Sequence, residues 1–280
     1  MNPIPHFWLY QAAFGLQLAA VALFAAYAAF PRRTISFSAS IGLSAAAFLQ
    51  TFFLADLGLA QGGLPLASGF GALCFWSLSL TALVLWAEWR HQLGLLGAFL
   101  APLSALMLLM GFRFAKVDAQ VAPSLPGTWL ALHVALAMFS YACFTAAAGT
   151  AAAFLVEERQ LKRKHLSSLL YKLPALAVLE DLAANFAWTG SAALGGSLVV
   201  GFVWKESLAL APGLSDPKVI FSLLVWLAYA GSSVLRLRSG LRGRRYAYLL
   251  LGLFLAIFFG YYLLNIYFGG HGFLKPGAGA

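Results

Sequence analysis

Apolar residues in this chain run in blocks and do not alternate with polar ones. Eight predominantly apolar stretches lie near residues 8–29, 36–55, 69–88, 93–111, 128–155, 185–204, 218–235 and 246–268. About 20 helical residues, at about 1.5 Å each, cross a hydrocarbon core of about 30 Å, and each block is close to that length. A membrane β-barrel would need strict alternation instead. The pattern therefore predicts an all-α integral membrane protein with about eight transmembrane helices. The fifth block is long enough to tilt or to project from the bilayer. Residues 157–182 form a charged connection with its own apolar stretch, read as a short interfacial helix. Two four-helix halves, 1–127 and 128–273, are expected, with a flexible tail at 274–280.

Composition agrees with this pattern. The 280 residues are 62% hydrophobic and only 10% Asp, Glu, Lys or Arg, and mean hydropathy is +0.84. So few polar side chains cannot coat a globule in water, which excludes an ordinary soluble enzyme, a disulfide scaffold and a disordered chain. The net charge of +9 would suggest nucleic acid in a soluble protein. Here the basic residues occupy short loops, so charge reports topology and no nucleic-acid partner is expected. The odd-numbered loops carry Arg32, Arg33, Arg90, Arg159, Lys162, Arg163, Lys164, Lys172, Arg236, Arg238, Arg242, Arg244 and Arg245. The even loops and the C-terminal tail carry only Arg113, Lys116, Lys205, Lys218 and Lys275. This asymmetry predicts cytoplasmic odd loops and both termini on the outer side; a multi-pass location in a bacterial plasma membrane is expected. The first ten residues lack Lys and Arg, unlike a cleaved signal peptide, so the first span should be retained.

Candidate chemistry is sparse. Cys74 and Cys143 lie in separate apolar blocks without a CxxC pair, which reads as packing. No span has a carboxylate near its middle, where a proton pump would place one. No GxSxG or HExxH occurs, which argues against hydrolytic chemistry. Ser191/Gly195 and Ala192/Gly196 have the small-xxx-small spacing of helix packing. Among the five histidines, His6, His133 and His271 fall on the expected outer side, and His91 and His165 on the other. His133 sits one turn after Trp129 near the start of the fifth span, and His271 follows the eighth. Between them lies a loop from Trp204 to Lys218 with the run Ser215-Asp216-Pro217-Lys218. Ser215 or Asp216 can cap the seventh span, and Pro217 suits a first helical turn. Two imidazoles flanking an outer loop would also suit axial ligation of a haem iron.

The second half resembles the cytochrome c assembly family of membrane haem handlers (CcsA/CcmC-related), and looks closest to its HemX/YpjD-type branch. The resemblance is carried by Trp129-Leu130-Ala131-Leu132-His133, Ser140-Tyr141 and Leu155–Lys162, then by Asp216-Pro217-Lys218, Ser222, Trp226, Tyr229-Ala230 and Arg236. The basic run Gly240–Arg245 and Gly270-His271 complete it. Coverage is about 128–273, with weaker similarity before that around Gly63–Leu66. The resemblance implies that haem is presented on the outer face, with His133 and His271 as iron ligands and Trp129, Trp204 and Asp216 at the cofactor-binding surface. Lys205 or Lys218 could meet propionates, and His6 is a third outward imidazole. Only Trp204 precedes Asp216-Pro217, where the family pattern has several tryptophans. The intramembrane haem-ligand histidines of larger synthases are also unmatched, so a haem-handling or accessory protein is implied more than a complete haem lyase.

Expected partners are haem, membrane lipid, and either a cytochrome c maturation subunit or a haem-biosynthesis enzyme. The latter belongs to an alternative: a HemX-type regulator of tetrapyrrole synthesis acting through the basic surfaces Glu157–Lys172 and Arg236–Arg245. A third class, a small-molecule transporter, would show inverted repeats with broken helices at the midplane. No convincing repeat of that kind is visible.

Overall fold

The computed structural model describes residues 6–91, 94–118, 128–162, 176–207 and 217–268. Among these residues there are eight α-helices and no strand. They are α1 (Phe7–Ala29), α2 (Arg33–Gln61), α3 (Gly69–His91), α4 (Gly94–Asp118), α5 (Thr128–Lys162), α6 (Leu176–Ser207), α7 (Pro217–Ser239) and α8 (Arg244–Phe268). Six of them, α1, α2, α3, α5, α6 and α7, contain segments long and apolar enough to cross a membrane, and α4 adds the apolar segment Leu96–Phe112. The protein is an all-α, multi-pass membrane protein, as the block pattern predicts.

Side-chain ties show that neighbouring helices in the bundle run antiparallel. Ser36 at the start of α2 donates to Glu88 at the end of α3. His6, just before α1, meets Asp56 near the end of α2, and Tyr10 donates to the Leu108 carbonyl late in α4. In the second half, Arg244 at the start of α8 reaches Glu158 near the end of α5. The bundle therefore has a basic end, bearing Arg32, Arg90, Arg236 and Arg244, and an opposite end where α1, α3, α5 and α7 begin.

The charged stretch 157–182 is described only at its two ends; residues 163–175, where the expected interfacial helix would lie, are outside the described residues. Residues 157–162 continue α5 and residues 176–182 belong to α6. The two helices reach 35 and 32 residues, about 52 and 48 Å, well beyond a bilayer core. The reason is packing at the basic end. Leu179, Leu182, Ala183 and Phe186 of α6 are buried with Ala151, Ala153 and Phe154 of α5 in the main core. Each helix thus keeps an apolar partner face after its sequence turns charged.

The α5–α6 pair is the most extensive helix contact, and small residues make it so. Ala142, Cys143, Ala146, Ala147 and Ala151 are buried along α5, letting the two backbones come close. The small-xxx-small spacing of α6 serves packing, as expected. The Trp226 indole of α7 donates to the Ser191 carbonyl at 3.1 Å, and a Cβ on Gly195 would lie only 2.8 Å from the same nitrogen. α7 starts at Pro217, where the missing N–H would have no intrahelical partner anyway. α4 continues through Pro102, and the described spans show no midplane break of the transporter kind.

In the first half, the fully buried Gln17 of α1 donates its amide toward Ser77, Thr81 and Ser104 of α3 and α4, at 3.4, 3.1 and 2.6 Å. The Gln50 amide donates to the Cys74 carbonyl at 2.8 Å. These amides tie the first four helices in register. Both cysteines are buried and no disulfide joins them, matching the packing role read from the sequence.

Candidate functional site

The opposite end of the α5–α6 seam holds the histidine that the sequence singles out. His133 lies in the second turn of α5, half-buried against α6. Its Nδ1 is 2.7 Å from the Ser197 backbone carbonyl and 3.1 Å from the Ser197 hydroxyl. That hydroxyl donates back to the His133 carbonyl at 2.9 Å. The sequence permits this because α6 presents Ser197 and Gly201 one turn apart. A Cβ on Gly201 would come within 2.6 Å of His133 Nδ1 and 2.8 Å of Cε1, so the imidazole lies directly on the glycine backbone.

The chemical consequence concerns the tautomer. A carbonyl oxygen can only accept, and its second lone pair stays free when it also takes a helical N–H. In the neutral ring the proton must therefore sit on Nδ1, which leaves the lone pair on Nε2. Among the described residues no group hydrogen-bonds to Nε2. An imidazole held through Nδ1–H to a backbone carbonyl, with Nε2 free, is the arrangement that orients histidine ligands toward a metal.

The remaining candidates divide into those near this ring and those outside the described residues. Trp129 precedes His133 by four residues on the same α5 face and is 50% exposed. Phe202, next to Gly201, is 48% exposed. Half-exposed aromatic rings therefore stand on both helices at the level of the imidazole. Trp204 lies in the α6 backbone one turn beyond Gly201; its side chain, like that of Lys205, is outside the described set. His271 and Asp216 also fall outside the described residues. Lys218 lies in the first turn of α7.

His6 does not join His133 within the seam. Its Nδ1 pairs with Asp56 Oδ2 at 2.9 Å, tying α1 to α2 in the first half. Among the described residues, no group of three or more His, Cys, Asp or Glu side chains could hold a metal ion. Sequence reasoning missed Ser197 and Gly201. Their signal was present, since Ala193, Ser197 and Gly201 repeat, in a neighbouring row, the small-residue spacing of Ser191/Gly195.

Fold and site together define a multi-pass helical membrane protein with a pre-oriented imidazole at one end of its tightest helix pair. The cytochrome c assembly protein family matches residues 66–271, and the chain belongs to that family. The match starts in the α2–α3 connection, so it takes in α3 and α4 as well as the second half. Protein HemX of Brevibacillus brevis is 31% identical over 183 residues, covering 65% of this chain and 67% of that protein. The cytochrome c biogenesis protein CcsA of Guillardia theta is 25% identical over 218 residues, covering 71% and 72%. CcsA of Thermosynechococcus vestitus is 26% identical over 284 residues, covering 86% and 88%. No solved structure matches the chain.

Proposed function

We propose that this protein handles haem during c-type cytochrome biogenesis, holding it where α5 begins and α6 ends. His133 and His271 would hold its iron. One observation carries the reading: His133 Nδ1 is fixed by the Ser197 carbonyl at 2.7 Å, so Nε2 is free to bind iron. When bound, haem supplies the vinyl groups at which a c-type cytochrome is covalently attached. The chain's own residues orient and shield. Gly201 lets the imidazole lie against the α6 backbone, Trp129 and Phe202 offer apolar ring surface, and Trp204 near the end of α6 and Asp216 before α7 would flank it. Lys205 or Lys218 would meet the propionates through charge-assisted bonds. The Lys and Arg distribution supports an outward-facing site, with both termini on that side, and the bacterial HemX relative fits a plasma-membrane location.

The alternative reading, a regulator of tetrapyrrole synthesis acting through its basic end, draws support from the likeness to HemX. Structural support for it is thinner. Arg236 and Arg244 of its proposed surface are engaged in ion pairs within the bundle.

An absorption spectrum tests the haem reading. Protein purified from haem-replete cells should show a low-spin haem spectrum that is lost in the His133→Ala/His271→Ala double variant. A colourless wild-type protein, or a double variant with an unchanged spectrum, would refute it.

A further inference from the structure

The α7–α8 turn carries five arginines, and the structure sorts them into two groups. Arg236 is drawn inward. Its guanidinium bridges Glu180, at 2.7 Å, and Asp181 of α6, and lies 5.1 Å from the centre of the Tyr246 ring. Arg244 pairs with Glu158 of α5 at 3.2 Å. Arg238, Arg242 and Arg245 are exposed, and among the described residues none of them makes an ion pair. Three uncompensated charges therefore share one short turn. Gly240 and Gly243, at φ of 64° and 65°, reverse the chain tightly enough to keep the three together.

The setting of these three charges indicates what they face. Val234, Leu235 and Leu237 are exposed on the last turns of α7, Leu237 at 77%. Arg238 follows Val234 by four residues and Leu235 by three, so it shares a helix face with both. On α8, Tyr248 is 55% exposed and lies one turn after Arg244, whose guanidinium sits 5.9 Å from its ring centre. Exposed aliphatic side chains grading into tyrosine and arginine within two turns mark the level where acyl chains meet headgroups. A soluble partner would meet the arginines without a use for the adjoining leucines. An anionic phospholipid uses both.

We propose that the α7–α8 turn is a binding site for the phosphate of an anionic phospholipid, with Arg238, Arg242 and Arg245 as its cationic contacts. Its acyl chains lie along Val234 and Leu235, on the helix face that Arg238 shares. Each arginine near a membrane surface contributes about fivefold to such binding, so the three together give a preference on the order of 100-fold. The site is independent of the haem reading.

The test is a lipid titration of the purified full chain by native mass spectrometry, comparing phosphatidylglycerol with phosphatidylcholine. Wild type should prefer phosphatidylglycerol. R238Q/R242Q/R245Q should lose most of that preference, while R32Q/R33Q/R90Q, which removes the same charge from other loops of the basic end, should keep it. All six arginines are exposed, so both variants should retain wild-type helix content by circular dichroism. Equal loss in the two variants would show a diffuse field without a site and overturn the proposal. So would an unchanged preference in R238Q/R242Q/R245Q. Displacement of phosphatidylglycerol by inorganic phosphate would assign the turn to a soluble phosphate ligand instead, which also overturns the lipid assignment.

Discussion

Gly201→Ala gives the sharpest test of how the imidazole is held. The added methyl would sit 2.6 Å from His133 Nδ1 and 2.8 Å from Cε1, closer than packed atoms tolerate. Either α5 and α6 part or the ring swings off its carbonyl. Overpacking of this kind costs about 1–3 kcal/mol, and losing the Nδ1–H bond to Ser197 adds about 0.5–1.5 kcal/mol. Gly201→Ala should therefore destabilise the protein by about 2–4 kcal/mol in denaturant unfolding. Loss of a ligand's orienting partner typically lowers metal affinity about 10- to 100-fold, a shift readable in a haem titration followed in the Soret band. Two variants bracket the result. Gly196→Ala would bring its methyl only to 3.6 Å from Leu136, an ordinary contact, and should change neither quantity appreciably. Ser197→Ala removes the hydroxyl bond to the His133 carbonyl but leaves the backbone carbonyl on Nδ1. It should cost about 1 kcal/mol of stability with little loss of haem affinity. Wild-type stability and affinity in Gly201→Ala, or an equal fall in Gly196→Ala, would refute the reasoning.

Other outcomes follow from the same packing. Arg236→Gln would leave Glu180, whose side chain is 17% exposed, without its cation. It should destabilise by about 1–3 kcal/mol in thermal unfolding, against less than about 0.5 kcal/mol for the exposed Arg238→Gln. Gly97→Ala would push a methyl to 2.5 Å from the fully buried Phe24 ring and should cost about 1–3 kcal/mol. Gly15→Ala meets nothing within 4 Å and should stabilise α1 by about 0.5–1 kcal/mol; denaturant midpoints of the pair would show opposite signs. Tyr229 is stacked on Phe144 with ring centres 3.7 Å apart, and its buried hydroxyl has no hydrogen-bond partner among the described residues. Tyr229→Phe keeps the stack and should be neutral or slightly stabilising in the same assay, whereas a loss above about 1 kcal/mol would reveal a partner for that hydroxyl.

Helix number and class were legible because hydrophobic blocks of bilayer length admit few other structures. The start of α7 at Pro217 was legible for a local reason, the ring's fixed φ and absent N–H. The extents of α5 and α6 were not. Hydropathy ends a span where charges begin, but Glu157, Glu158, Glu180 and Asp181 sit on helices that continue because their other face is packed. The partners of Arg236 and Arg244 were hidden for a related reason. A loop count treats every arginine alike, and only tertiary structure shows which ones face a carboxylate. His133 was visible as a residue, whereas its tautomer was not, because that depends on a carbonyl 64 positions away.

The two ends of the α5–α6 pair are held by different physics, and this bears on how a ligand at His133 could be steadied. At the basic end, Arg236 from α7 grips Glu180 and Asp181 of α6, and Arg244 from α8 grips Glu158 of α5. These charge-assisted bonds come from helices outside the pair. At the opposite end the contact is internal: a serine whose hydroxyl donates to the His133 carbonyl and whose own carbonyl accepts from the imidazole, and a glycine that leaves room for the ring. Between them runs an alanine-rich seam with little side-chain freedom to lose. Sliding α5 along α6 by one residue would move His133 about 1.5 Å and break the Ser197 bonds, the Gly201 fit and the Arg244–Glu158 pair together. The depth and tilt of the imidazole are therefore set by the whole length of the seam. An imidazole fixed in this way keeps its Nε2 direction, so a cofactor bound there would spend less binding energy on ordering the site.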